Sequence, residues 1–207
     1  MTVPELVAGQ IVAGRFSIRR ALGRTADTAT WHAVTMPSRD VAIRMFDPAL
    51  AERLDVLDHL RRLTIETNAL PPSVALRAIE AGEDPATGAP FMVTELSVTP
   101  SLAELVKLCP LAGDELVAFT RNLCDALEAA HELGMLHLSL DPTCVFVGPP
   151  PSCEVRLTDF GLSVATGRGS AHAWAAPEQG ASASVASDLY SAALVVLFAA
   201  TGALLEE

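Results

Sequence analysis

The hydrophobic spacing of this 207-residue chain changes period near residue 96, and that change limits its fold more than any other feature. Upstream, residues 15–22 set Phe16, Ile18 and Leu22 among polar neighbours. Residues 29–35 and 40–46 are β-branched or aromatic and meet at a Pro37-Ser38-Arg39 turn, which predicts a three-stranded antiparallel meander. Asp47-Pro48 then offers an N-cap and a proline at the first helical position. Leu50, Leu54, Leu57, Leu60 and Leu63 recur at helical spacing until Pro71-Pro72, which predicts one amphipathic helix. Short strands are expected at 75–81 and 91–95, around a turn rich in Gly, Asp and Pro. Downstream the period becomes helical: residues 114–133 carry Leu116, Phe119, Leu123, Leu127 and Ala130 on one face and stop at Gly134, a fitting left-handed C-cap. Strands at 144–147 and 154–158 flank Gly148-Pro149-Pro150-Pro151. The expectation is an α+β chain with an extension over 1–14, a β-rich part over 15–96 and an α-rich part over 97–207.

Charge narrows the function classes. With 25 acidic against 14 basic side chains the formal charge is −11, and no basic run is present, which argues against nucleic acid and anionic membrane surfaces as partners. Of those 14 bases only Lys107 is a lysine, so any chemistry that needs lysine has one candidate. Cys109, Cys124, Cys144 and Cys153 form no Cys-x-x-Cys pair and no zinc ladder with histidine, and read as thiols of a reducing compartment. Residues 1–18 carry Glu5 and lack a basic segment followed by an apolar one, so a cytoplasmic location is expected. Residues 189–205 are 17 positions without a charge. As a helix they would span about 25 Å against about 30 Å of hydrocarbon, so a buried core helix and a short membrane span both suit them.

Motifs decide between these. Leu157-Thr158-Asp159-Phe160-Gly161 leaves a strand, Ala176-Pro177-Glu178 follows, and then Ser187-Asp188-Leu189-Tyr190-Ser191. Val41-Ala42-Ile43-Arg44 stands upstream, and His137-Leu138-Ser139-Leu140-Asp141-Pro142 between. In order and spacing these resemble the protein-kinase family, in particular the bacterial Ser/Thr kinases of eukaryotic-like type, from about residue 11 to 207. The resemblance implies a two-lobed fold with a β-rich N-lobe and an α-rich C-lobe, truncated after the helix that follows the activation segment. It assigns 189–205 to the core helix of the C-lobe rather than to a membrane. His137 and Asp188 resemble the pair that ties the catalytic loop to that helix, and 174–178 the anchor of the activation segment.

Position by position, the same resemblance implies lost chemistry. The lysine position is Arg44, whose planar fork does not replace an ammonium between phosphates and a helix carboxylate. The carboxylate position falls near Arg62 or Leu63, with Asp55, Asp58 and Glu66 nearby. The base position is Ser139, a hydroxyl with no useful proton affinity at neutral pH. Asp141 stands where the family has a cation. Cys144 replaces the metal-binding asparagine, and a thiol is a poor ligand for Mg²⁺. Asp159 remains, either as a Mg²⁺ carboxylate or because Phe160 packs and Gly161 turns. Around Gly23 the phosphate loop has Thr25 and Thr28 in place of its later glycines, with Arg24 as its cation and Asp27 adding repulsion. Leu22, Gly23, Ala42, Arg44, Glu95, Ser97 and Phe146 are the positions left to meet a nucleotide. Leu138 replaces an arginine that reads loop phosphates, and Ser163, Thr166 and Ser170 read as ordinary loop polarity. The expectation is a pseudokinase: weak or absent ATP binding, Mg²⁺ only through Asp159, and a protein partner of unknown identity. The alternative is a divergent Ser/Thr kinase using Arg44, Asp141 and Asp159.

Overall fold

The computed structural model describes residues 3–25, 28–52, 55–167 and 173–203. Asp27, Leu54, Ser170 and positions 204–205 of the apolar run lie outside them. Two compact units divide the chain, one of Met1–Asn68 with Arg77–Leu96 and one of Ala69–Leu76 with Ser97–Glu207.

The first unit is built on a six-stranded antiparallel sheet. Its strands are β1 (Ile11–Val12), β2 (Phe16–Arg24), β3 (Thr28–Val34), β4 (Asp40–Phe46), β5 (Ala78–Glu83) and β6 (Pro90–Glu95), in the order β1-β2-β3-β4-β6-β5. The expected meander is β2-β3-β4. Alternation places Ala29, Trp31, Ala33, Val41, Ile43 and Met45 on the core face with Phe16, Ile18, Phe91 and Val93. Val3, Leu6 and Val12 join the same cluster. β5 starts three residues later than its apolar run suggests, because Leu76 N–H already donates to Leu157 O, and Leu157 N–H to Val74 O, within the second unit.

The single helix expected after Asp47 is two pieces. Asp47 does cap, its Oδ1 accepting the Ala49 N–H at 2.8 Å, but the turn it starts is a 3₁₀ helix over Pro48–Glu52. α1 begins afresh at Val56 and runs to Thr67, burying Val56, Leu60 and Leu63. The leucine spacing is satisfied by both pieces, so periodicity alone does not reveal the break.

The second unit carries α2 (Leu102–Leu105), α3 (Gly113–Glu132), the hairpin β7 (Val145–Val147) with β8 (Val155–Leu157), α4 (Leu162–Thr166), α5 (Gln179–Ser182) and α6 (Val185–Thr201). α3 buries Phe119, Leu123, Ala126, Leu127 and Ala130, and Gly134 follows it with φ +72°, as its sequence position requires. α6 contributes Ala192, Val195 and Ala199 to that core, together with residues of the hairpin. Among the described residues no helix is long and apolar enough to cross a membrane.

Candidate functional site

The site in the second unit is organised by one carboxylate. Asp188, at the head of α6, is fully buried. Its Oδ2 accepts the His137 N–H at 2.7 Å and its Oδ1 the Leu138 N–H at 2.8 Å. The expected link between His137 and Asp188 therefore runs through the main chain. The imidazole that meets the carboxylate is that of His131, whose Nε2 lies 2.8 Å from Oδ2. Sequence reasoning passed over His131; the available signal was a histidine in the last turn of a helix, just before the motif it supports.

The His137 ring is buried and stacks obliquely on Phe160 at 4.5 Å between centroids. Its Nδ1 faces the Ser139 N–H at 3.3 Å and its Nε2 the Cys144 Sγ at 3.9 Å. Burial pushes its pKa below the ordinary histidine value, against the opposing pull of Asp188, Asp159 and Asp141. The unfolded chain takes up a proton below about pH 6.5 while the folded ring stays neutral, so this contribution is complete above that pH and is lost as pH falls. Chemical denaturation at pH 7, 6 and 5 is expected to show stability falling by up to about 1.4 kcal/mol per pH unit from this group. A His137→Asn variant should flatten the profile; an unchanged slope would rule His137 out as its source.

Ser139, Asp141 and Cys144 of the 137–144 loop all bond to nearby main chain. Ser139 Oγ accepts the Ser163 N–H at 2.7 Å. Asp141 Oδ1 accepts both the N–H and the hydroxyl of Thr143, each at 2.6 Å. Cys144 is buried, its Sγ donating to Asp141 O at 3.1 Å and lying 3.2 Å from the Asp141 N–H. Asp141 and Cys144 thus satisfy the loop's own backbone, and Ser139 that of the segment after Asp159.

The 159–167 segment closes onto it. Gly161 N–H donates to His137 O at 2.7 Å, Ser163 Oγ to Leu138 O at 2.6 Å, and Gln179 Nε2 to the same carbonyl at 2.8 Å. Ser163 is buried, which corrects its reading as loop polarity; Thr166 Oγ1 bonds back to Leu162 O within α4. Leu138 (φ +55°) and Asp159 (φ +69°) both hold the left-handed region, a cost of about 1–3 kcal/mol each that the surrounding bonds offset. Asp159 is buried, with Thr158 Oγ1 3.4 Å from its Oδ1. Further along, Ser191 Oγ donates to Trp174 O at 2.7 Å, Trp174 packs edge-on to Phe198, and Ser187 Oγ donates to Glu178 Oε1.

Cys144 does not fit a hard cation such as Mg²⁺, because its thiol is a soft donor already engaged with the loop, which leaves Asp159 as the carboxylate of this pair of positions. Among the described residues no group of three or more His, Cys, Asp or Glu side chains gathers as a metal cage.

In the first unit, Ala42 and Arg44 alternate with the core residues of β4 and so share the half-buried face of the sheet. Thr94, not singled out by sequence, stands opposite Ala42, and Met92 opposite Arg44. Glu95 pairs with Val41 and therefore belongs to the other register face. Leu22 and Gly23 lie near the end of β2, beside a register irregularity. Beyond them Thr25 N–H donates to Thr28 O at 2.8 Å and the two hydroxyls are 2.9 Å apart, so the loop is closed by its threonines. Arg24, its cation, donates to Val3 O. On α1, Asp58 and Glu66 pair with Arg61 and Arg62 of the same helix. In the second unit Ser97 caps its own turn through Thr99, and Phe146 lies half-buried on β7 opposite Arg156.

No family model matches the chain. It is 29% identical over 208 residues to the serine/threonine-protein kinase AfsK of Streptomyces coelicolor, covering 91% of this chain and 25% of that protein. It is 32% identical over 216 residues to the serine/threonine-protein kinase PknK of Mycobacterium tuberculosis, covering 97% of this chain and 19% of that protein. The chain thus spans a quarter or less of the length of these relatives. The crystal structure of the M. tuberculosis PknI kinase domain superposes with a TM-score of 0.77 at 23% identity, over 98% of this chain and 78% of that one.

Proposed function

Because the chain belongs to the protein-kinase-like superfamily, we propose that it is a catalytically inactive member, a pseudokinase, that works as a regulatory or protein-binding module and holds ATP weakly or not at all. The observation that carries this reading is the use made of Ser139, whose hydroxyl occupies the base position and accepts a backbone N–H instead of facing a substrate. Phosphoryl transfer depends on positioned charge, and each missing group costs transition-state stabilisation. Here the base is a hydroxyl, the asparagine is a buried thiol, and the lysine is Arg44. The nucleotide positions support weak binding in the same way: the threonines of the phosphate loop bond to one another and Arg24 is taken up by Val3 O.

A second reading, a divergent Ser/Thr kinase working through Arg44, Asp141 and Asp159, is favoured by the activity in the names of AfsK and PknK. Against it, Asp141 stands where the family has a cation, and its Oδ1 already accepts two bonds from Thr143.

Incubation of the purified chain with γ-labelled ATP and Mg²⁺ separates the two. The pseudokinase reading expects no transfer above the level of an Asp159→Ala variant. Transfer that Asp159→Ala abolishes would establish the kinase. For binding, 1 mM ATP acting at a Kd of 1 mM or weaker stabilises by at most about 0.4 kcal/mol. The expected thermal shift is thus at the edge of detection and the same with or without Mg²⁺. A large magnesium-dependent rise in Tm would contradict weak binding.

A further inference from the structure

Residues 3–12 run along β2 and are tied down at both ends by side chains of the first unit. Gly9 N–H donates to Ile18 O and Ile18 N–H to Gln10 O, each at 2.9 Å, and Val12 stands opposite Phe16. Val3, Leu6 and Val12 are buried in the cluster that Ala29, Trp31 and Met45 form on the core face of the sheet. At one end the buried Asp84 carboxylate accepts the Ala13 N–H at 2.9 Å. At the other, Arg24 donates to Val3 O at 3.0 Å, the one hydrogen bond of its guanidinium among the described residues.

This tie holds Arg24 on the wrong face for a phosphate. Residues directly opposite in an antiparallel pair share a face. Arg24 pairs with Ala29, which is buried on the core face, whereas Gly23 pairs with Thr30 and Thr30 with Arg44, on the half-buried face that Ala42 also occupies. The cation that the family resemblance gives to the phosphate loop is thus turned away from Arg44. Arg24 is exposed and makes the last pair of the β2–β3 ladder, so what keeps its side chain on that face is the Val3 carbonyl. The segment that supplies this carbonyl is lightly held: Glu5, Val7 and Ala8 are exposed, and Val3 and Leu6 are its two buried anchors ahead of β1.

We propose that residues 3–12 form an autoinhibitory strap: docked, they hold Arg24 away from the face of Ala42 and Arg44, and release of residues 3–8 lets its guanidinium meet a polyphosphate. A phosphate oxygen is a better partner than a neutral carbonyl, since charge-assisted hydrogen bonds are about twice as strong. Strap and polyphosphate then compete for one side chain, and each weakens the hold of the other by the same factor.

The inference rests on the reading that ATP is held weakly, and its test uses ratios between variants, whereas the parent's own affinity tests that reading alone. Inorganic triphosphate is titrated into the whole 207-residue chain and its variants by calorimetry, and cleavage after Glu5 by a glutamate-specific protease reports the strap. Leu6→Asp, which unseats the strap, should bind triphosphate about fivefold or more tightly than the parent, and adding Arg24→Gln should remove that gain. Arg24→Gln alone, at an exposed position, should speed cleavage after Glu5 several-fold. Millimolar triphosphate should speed the same cleavage in the parent and leave Arg24→Gln unchanged. Binding by Leu6→Asp no tighter than by the parent, a gain that survives Arg24→Gln, or cleavage that neither Arg24→Gln nor triphosphate alters would overturn the proposal. If Leu6→Asp does not fold, the two cleavage measurements decide.

Discussion

Replacing Asp188 by alanine is expected to cost about 3–5 kcal/mol of stability, because two buried main-chain N–H groups, those of His137 and Leu138, lose their acceptor at about 1–3 kcal/mol each. His131 loses its partner as well. The expected order is the sharper statement. Asp188→Asn keeps the shape and one acceptor oxygen but turns an NH₂ toward a group that must donate, so about 2–3 kcal/mol is expected. His131→Gln, at a side chain 12% exposed, should cost about 1 kcal/mol. Denaturant unfolding of the three variants measures this, and the two milder ones preserve the test if Asp188→Ala does not fold. An Asp188→Asn variant within about 0.5 kcal/mol of the parent would mean the loop is held some other way.

Ser139→Ala is expected to cost about 1–3 kcal/mol, although in a working kinase a change at this position would be read through activity. The reason is the start of α4. Gly161, at its N-terminus, has no side chain to cap the helix, and the Ser163 N–H of the first turn is buried. The Ser139 hydroxyl reaches from another segment to accept that N–H, acting as a cap supplied by tertiary structure. Ser163→Ala should cost less, about 1 kcal/mol, because Leu138 O keeps its bond from Gln179. The two changes touch one network, so the double variant should lose less than the sum. Amide exchange provides the site-specific check, with protection at Ser163 falling in Ser139→Ala. Ser139→Asp retains an acceptor and should retain that protection; if it behaves like Ser139→Ala, the hydroxyl does more than accept.

Much of the frame was legible beforehand. Period-two runs place β2, β3 and β4 within a residue or two, and Phe119, Leu123 and Leu127 mark the buried face of α3, because alternation and 3.6-residue spacing are local properties of a chain. Other elements were not legible. The interruption after Glu52 leaves leucine spacing intact on both sides, and Ala75 and Leu76 look like strand residues but donate their N–H groups to Pro71 O and Leu157 O. His131, Thr94 and Gln179 belong to the site only because a helix end, a neighbouring strand and a turn bring them there.

The sequence by itself determined which functional groups stand at these positions. Residue identity fixes proton affinity and ligand hardness, so a serine at 139 and a cysteine at 144 carry neither a carboxylate nor an amide wherever they point. What those residues do instead was decided only in three dimensions. Hydrogen bonds reach about 3 Å, and Ser139 meets Ser163 24 residues away while Asp188 meets His137 51 residues away. No spacing rule spans such separations; the packing of α6 beneath the loop does.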